Sequence, residues 1–127
     1  MDIKASLLAL ILFFAAIALS YQAFAQAVVG TEETQATQSV VRDQLLAFKS
    51  GDINRAYSHA APNIKGYFTT VERFAGMVKS GYGAIYQSDS FVMGRNTFIS
   101  GSVYQEVIIT DAKGKQWQAV YTLKEQE

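Results

Sequence analysis

VYQEVIITDAKGKQWQAVYTL, residues 103–123, is the stretch whose reading decides the fold. Val103 to Thr110 is rich in β-branched side chains, and its alternation puts Val103, Gln105, Val107 and Ile109 on one face. Gln116 to Leu123 alternates clearly, with Trp117, Ala119, Tyr121 and Leu123 on one face and Gln116, Gln118 and Thr122 on the other. Asp111-Ala112-Lys113-Gly114 between them reads as a hairpin turn. Upstream, Ser90 to Ile99 alternates loosely, with Phe91 and Met93 on one face and Val92 and Phe98 on the other. Ser100-Gly101-Ser102 is the turn that links it to Val103. Three strands joined by short turns make an antiparallel meander. The last strand runs almost to Glu127 and leaves one sheet edge open, so a further strand is expected from beyond this chain or from a partner.

Working back from that meander, the period changes to helical. Thr31 is the expected N-cap of a first helix, with Glu32 and Glu33 where the helix dipole favours anions. Val41, Leu45 and Phe48, flanked by Val40, form its apolar face, and Gly51 ends it. Asp52 caps a shorter helix carrying Ile53, Ala56, Tyr57 and Ala60 on one side. Pro62 stops it, and residues 62–66 read as a turn or a short tight helix. Thr69-x-x-Glu72 is a capping box that opens a third helix, with Phe74, Met77 and Val78 inward and Gly81 as its stop. Helices first and a meander second means α+β, with N-terminal helices packed on one face of a curved antiparallel sheet.

The 127 residues allow one domain, and the composition, half hydrophobic and 17% charged, is that of a folded chain. The formal net charge is zero. Nucleic-acid binders need a basic excess to neutralise phosphate, so no nucleic-acid partner is expected. There is no cysteine and only one histidine, His59. Stability therefore comes from packing without disulfides, and neither a metal site nor a cofactor is expected.

Residues 1–25 have the parts of a signal peptide. Lys4 is a short positive region, Leu7 to Leu19 is a nearly unbroken apolar run, and Ala23-Phe24-Ala25 is an Ala-x-Ala cleavage site. The run falls short of the roughly 20 residues that span a bilayer as a helix. Cleavage after Ala25 is expected to leave residues 26–127 as a single exported α+β domain, periplasmic or secreted, with no stable membrane anchor.

From about Val40 onward the chain resembles an exported bacterial family, the domain of unknown function 4864. The matching words include Gly51-Asp52 to Ala56-Tyr57, Ala60-Ala61-Pro62-Asn63-Ile64, Phe74-Ala75-Gly76-Met77-Val78 and Gly81-Tyr82. Gln105-Glu106-Val107, Thr110-Asp111-Ala112-x-Gly114 and Ala119-Val120-Tyr121-x-Leu123 follow in order. The resemblance implies a cone-like fold of the nuclear-transport-factor-2-like or cystatin-like kind, with a long helix inside a strongly bent sheet. It also implies a further strand with a Trp-Arg-Ile-like run after Leu123, which this chain lacks. The family carries no established activity, so no catalytic residue transfers.

The candidate chemistry is thin. His59 is the one side chain that titrates near neutrality, and Asp52 is the carboxylate considered as its partner. The plainer reading is a polar histidine at a helix end. Glu106 lies on the face opposite Gln105 and Val107, which disfavours it as a pocket acid. Gly81-Tyr82-Gly83 follows a helix instead of a strand, so it is no dinucleotide fingerprint. Ser80, Ser88 and Ser90 lack a nucleophile-elbow context. The ligand-binding candidates are Tyr57, His59, Tyr82, Trp117 and Tyr121, though core and rim packing is the plainer reading of the aromatics among them. These residues favour a non-enzymatic exported module that binds a small apolar ligand or another envelope protein. A small isomerase or hydratase using a cone pocket is the alternative, and it needs an acid or His59 in that pocket. A third reading is a subunit that assembles as a homo-oligomer through its open sheet edge. The lining of the largest cavity separates the three.

Overall fold

The first helix, α1, runs from Glu32 to Lys49. Thr37, Val41, Gln44, Leu45 and Phe48 recur at helical spacing and are buried, so one stripe of the helix faces the interior. Its end is a Schellman motif. Gly51 takes φ +83°, its N–H donates to the Phe48 carbonyl, and the Asp52 N–H donates to the Ala47 carbonyl. The computed structural model describes residues 32–124 together with two dipeptides, Leu7–Leu8 and Phe14–Ala15. Thr31 and the Ala25 cleavage site lie outside the described residues.

Four shorter helices follow: α2 Ile53–Ser58, α3 Pro62–Tyr67, α4 Val71–Gly81 and α5 Gly83–Tyr86. Asp52 caps α2 by accepting from the Arg55 N–H, and Pro62 occupies the first turn of α3, where a missing N–H does no harm. The cap of α4 is Thr70, one residue later than the box expected at Thr69. Thr70 is extended (φ −127°, ψ 156°) and its hydroxyl accepts from the Arg73 N–H at 3.1 Å. Two adjacent threonines offer the same hydroxyl, and the backbone at Thr70 decides which one caps. Glu72 still lies in the first turn. The turn α5 has no counterpart in the sequence pattern, which assigns no element between the Gly81 stop and the strand from Ser90. Its Ala84 and Ile85 are buried, and packing holds four residues helical that are too few to show a period.

The sheet is an antiparallel, curved meander of β3 Ser88–Ile99, β4 Ser102–Asp111 and β5 Gln116–Leu123. This is the α+β architecture that the helix-then-strand order implies. The two dipeptides, β1 Leu7–Leu8 and β2 Phe14–Ala15, pair antiparallel with the outer edge of β5. That is the edge the sequence reading left open; its unpaired backbone groups accept an extended segment. Among the described residues, no helix is long and apolar enough to cross a membrane.

Both turns lie where the sequence puts them. Ser100 (φ 49°) and Gly101 (φ 85°) are the two positive-φ residues of a primed hairpin turn. In the second turn Asp111 accepts from the N–H groups of Lys113 and Lys115, and Gly114 takes φ +84°. The inner face of β4 is Val103, Gln105, Val107 and Ile109, all buried as the alternation requires. Glu106 faces outward and pairs with Arg95 at 3.5 Å.

Strand β3 departs from simple alternation. Its register shifts between Met93 and Asn96, so Asn96 pairs Gln105 and Phe98 pairs Val103. Phe98 therefore shares the face of Phe91 and Met93, and not that of Val92 as the uninterrupted alternation implied. A bulge inserts one residue and flips the parity beyond it. Gly94 lies in that bulge, where a Cβ would meet the Glu106 Cβ at 3.2 Å.

Candidate functional site

Between the sheet, α1 and the layer of α2 to α5 lies a cavity of about 500 Å³. Its main walls come from three elements. Gln44 and Phe48 project from α1, Phe74, Met77 and Val78 from α4, and Tyr121 from β5. Each is placed by the periodicity of its own element: three-and-four spacing on the helices and alternation on the strand. Exposed Ser80 and Gly81 mark the rim, with Tyr82 beside them. Phe48 and Phe74 face one another with ring centres 6.0 Å apart and nearly parallel planes, which makes one wall flat and aromatic.

The polar groups around this space differ in how they are used. The Gln44 side-chain amide, 3% exposed, donates to the Ala56 carbonyl at 3.1 Å and so ties α1 to α2. The Ser80 hydroxyl donates to the Gly76 carbonyl. Tyr121 is 1% exposed, and its hydroxyl has no hydrogen-bond partner. Burial pushes the Tyr121 phenol above its ordinary value, so it stays protonated throughout the physiological range. Neither His59 nor any acid belongs to the lining.

Of the five candidates from the sequence, the structure brings Tyr82 and Tyr121 to this cavity. Tyr57 packs its ring against Phe74 at 5.3 Å and donates its hydroxyl to the Phe68 carbonyl at 2.8 Å. The Trp117 indole donates to Asp111 at 2.9 Å, and Lys115 lies over its ring, at the β4–β5 turn. That indole bond, with the backbone N–H of Lys115 behind it, holds the Asp111 carboxyl below the usual carboxylate range.

His59, at the C-terminal end of α2, meets Asp43 of α1, with Nε2 2.6 Å from the carboxylate. Arg55 grips the same carboxylate through two nitrogens. The Arg55 hydrogen bond, then that of His59, holds the Asp43 carboxyl below its ordinary range. The partner is therefore Asp43 and not Asp52, whose side chain is spent on capping α2. Asp43 comes from a different helix, and helical spacing within one segment carries no signal for it. This cluster is partly exposed and forms no part of the cavity lining. Among the described residues, no group of three or more His, Asp or Glu side chains is gathered for a metal.

No curated protein and no solved structure matches this chain. The family model described as domain of unknown function, DUF4864, matches residues 30–127, which takes in every described helix, the three long described strands and the whole cavity. The chain belongs to that family.

Proposed function

We propose that this protein is a non-enzymatic binding module for a small apolar ligand, held in the cavity between α1, α4 and the inner face of β5. The observation that carries this reading is the lining: aromatic and aliphatic walls around about 500 Å³, with neither histidine nor carboxylate among them. That volume is in the range of small-molecule sites, roughly 300–1,000 Å³. An isomerase or hydratase needs a positioned acid or base next to the reacting atom. His59 is instead engaged with Asp43, and Glu106 faces outward to Arg95. The export address read in residues 1–25 supports a ligand met outside the cytosol. Native mass spectrometry of the protein purified from its source tests the reading. One non-covalent small-molecule adduct, lost on denaturation, is expected; a spectrum of bare protein contradicts it.

A second reading rests on the β5 edge, where Leu7–Leu8 and Phe14–Ala15 pair. Cleavage after Ala25 removes both dipeptides and frees the edge for a strand of a second copy. Light scattering of the cleaved protein at rising concentration decides it. A dimer supports assembly through this edge, and a persistent monomer removes it.

A further inference from the structure

We propose that the outer face of the sheet, turned away from α1, is an interface between two copies of this chain, packed face to face about a two-fold axis. The inner face is already used, since α1 is tied to it through Thr34 with Asn96 and Gln38 with Gln105. On the outer face Val92 stands directly across from Ile108, Tyr104 across from Thr97, and Val120 across from Glu106. Val92 is 66% and Ile99 54% exposed, and Tyr104, Ile108 and Val120 are half-buried. An antiparallel face left to water is usually polar. Here Ser90–Ile99, Ser102–Thr110 and Gln116–Leu123 together hold two charged residues, Arg95 and Glu106. Aliphatic and aromatic side chains with an arginine, and a shortage of lysine and carboxylate, are the composition at the centre of a protein interface.

The two charges point to the partner. The Arg95 side chain, 73% exposed, reaches Glu106 at 3.5 Å, a loose pair near the middle of the face. Opposite charges side by side make the patch complementary to itself. A two-fold axis beside Glu106 sets the Arg95 of each copy against the Glu106 of the other, with apolar side chains on both sides of the pair. Sheets pack in this way at about 10 Å separation, their strands within about 30° of one another. The size of the face sets the strength. Strands ~4.8 Å apart that rise ~3.3 Å per residue give a surface of roughly 14 by 30 Å on each copy. About 1,000 Å² is then buried in all, the low end of specific interfaces, so the dimer is reversible and its dissociation constant micromolar. The cavity and its ligand take no part in this arrangement.

Sedimentation velocity from about 10 μM to about 1 mM tests it, on wild type and variants isolated after expression of the full chain. The wild type should pass from monomer to dimer within that range. Arg95→Glu and Glu106→Arg, each alone, set like charges across the axis and should weaken the dimer about tenfold or more. Mixed in equal amounts, these two variants carry matching faces and should form a heterodimer within about threefold of the wild-type affinity. A purely structural role for the Arg95 and Glu106 pair within one chain would not be repaired by mixing. Ile108→Arg should weaken the dimer as the charge reversals do. A wild type still monomeric at the highest concentration overturns the proposal. A dimer indifferent to all three substitutions is built elsewhere, the β5 edge included, and overturns it as well. A mixture no tighter than its components overturns the two-fold pairing. The wild-type series and the charge reversals decide the matter even if Ile108→Arg does not fold.

Discussion

Gln105 and Tyr121 are partners across the β4–β5 ladder, on the same inner face, and neither is more than 1% exposed. Their polar ends meet opposite conditions. The Gln105 carbonyl accepts from Asn96 at 2.6 Å and from Gln38 at 3.1 Å, and its amide donates to the backbone carbonyls of Gly94 and Glu106. Asn96 in turn reaches Thr34 and Thr37 of α1. One strand away, the Tyr121 hydroxyl has nothing. The first group locks α1 onto the bulge of β3, and the second is sealed in the core although the Tyr121 side chain lines the cavity. A satisfied buried polar network specifies how elements dock, while an unsatisfied buried hydroxyl contributes nothing to docking and costs stability.

Breaking the satisfied side should have the largest effect. Gln105→Ala removes four hydrogen bonds and opens a void, and should lower stability by about 2–4 kcal/mol in urea unfolding. A loss below about 0.5 kcal/mol would mean that the network does not hold α1 to the sheet. Gly94→Ala strains the same joint from the backbone, because its new Cβ would crowd that of Glu106 at 3.2 Å. A loss of about 1 kcal/mol is expected, with heteronuclear NMR shifts concentrated at Asn96 and Gln105.

The Asp43 cluster sharpens the contrast by being satisfied but partly exposed. Its carboxyl titrates below the ordinary value, so its contribution is complete above the unfolded pKa, near ~4, and is lost as pH falls through the lower folded value. Asp43→Asn should therefore cost about 0.5–1 kcal/mol at pH 7, with the gap to wild type closing below about pH 4. A gap unchanged at pH 3 would show that the charge is not what matters. The smallest effect belongs to Tyr121→Phe, which removes a hydroxyl that bonds to nothing and should alter stability by no more than about 0.5 kcal/mol without ligand. A loss of about 2 kcal/mol would reveal a partner for that hydroxyl and end the comparison.

The fold was largely legible because its signals are local. Gly51, Asp52, Gly101 and Gly114 each mark a boundary through their own backbone chemistry, and Val103 to Ile109 alternates without interruption. What escaped depends on contacts between distant segments. The bulge at Gly94 reverses the face of Phe98 through a register shift against the next strand. The pairing of His59 with Asp43 joins two helices. The cavity itself is hard to read because Phe48, Phe74 and Val78 have the spacing of core residues whether they enclose space or fill it. Tyr82 and Tyr121 stood out as aromatic pocket candidates, but the missing hydroxyl partner of Tyr121 is a property of three-dimensional packing alone.

The most direct test is a fluorescence titration with N-phenyl-1-naphthylamine, a neutral aromatic dye that brightens in apolar surroundings. The account predicts one saturable site in the wild type, lost in Ser80→Trp, where an indole at the rim closes the mouth of the cavity. Absence of saturation in the wild type, or equal binding by Ser80→Trp folded as the wild type, would contradict it.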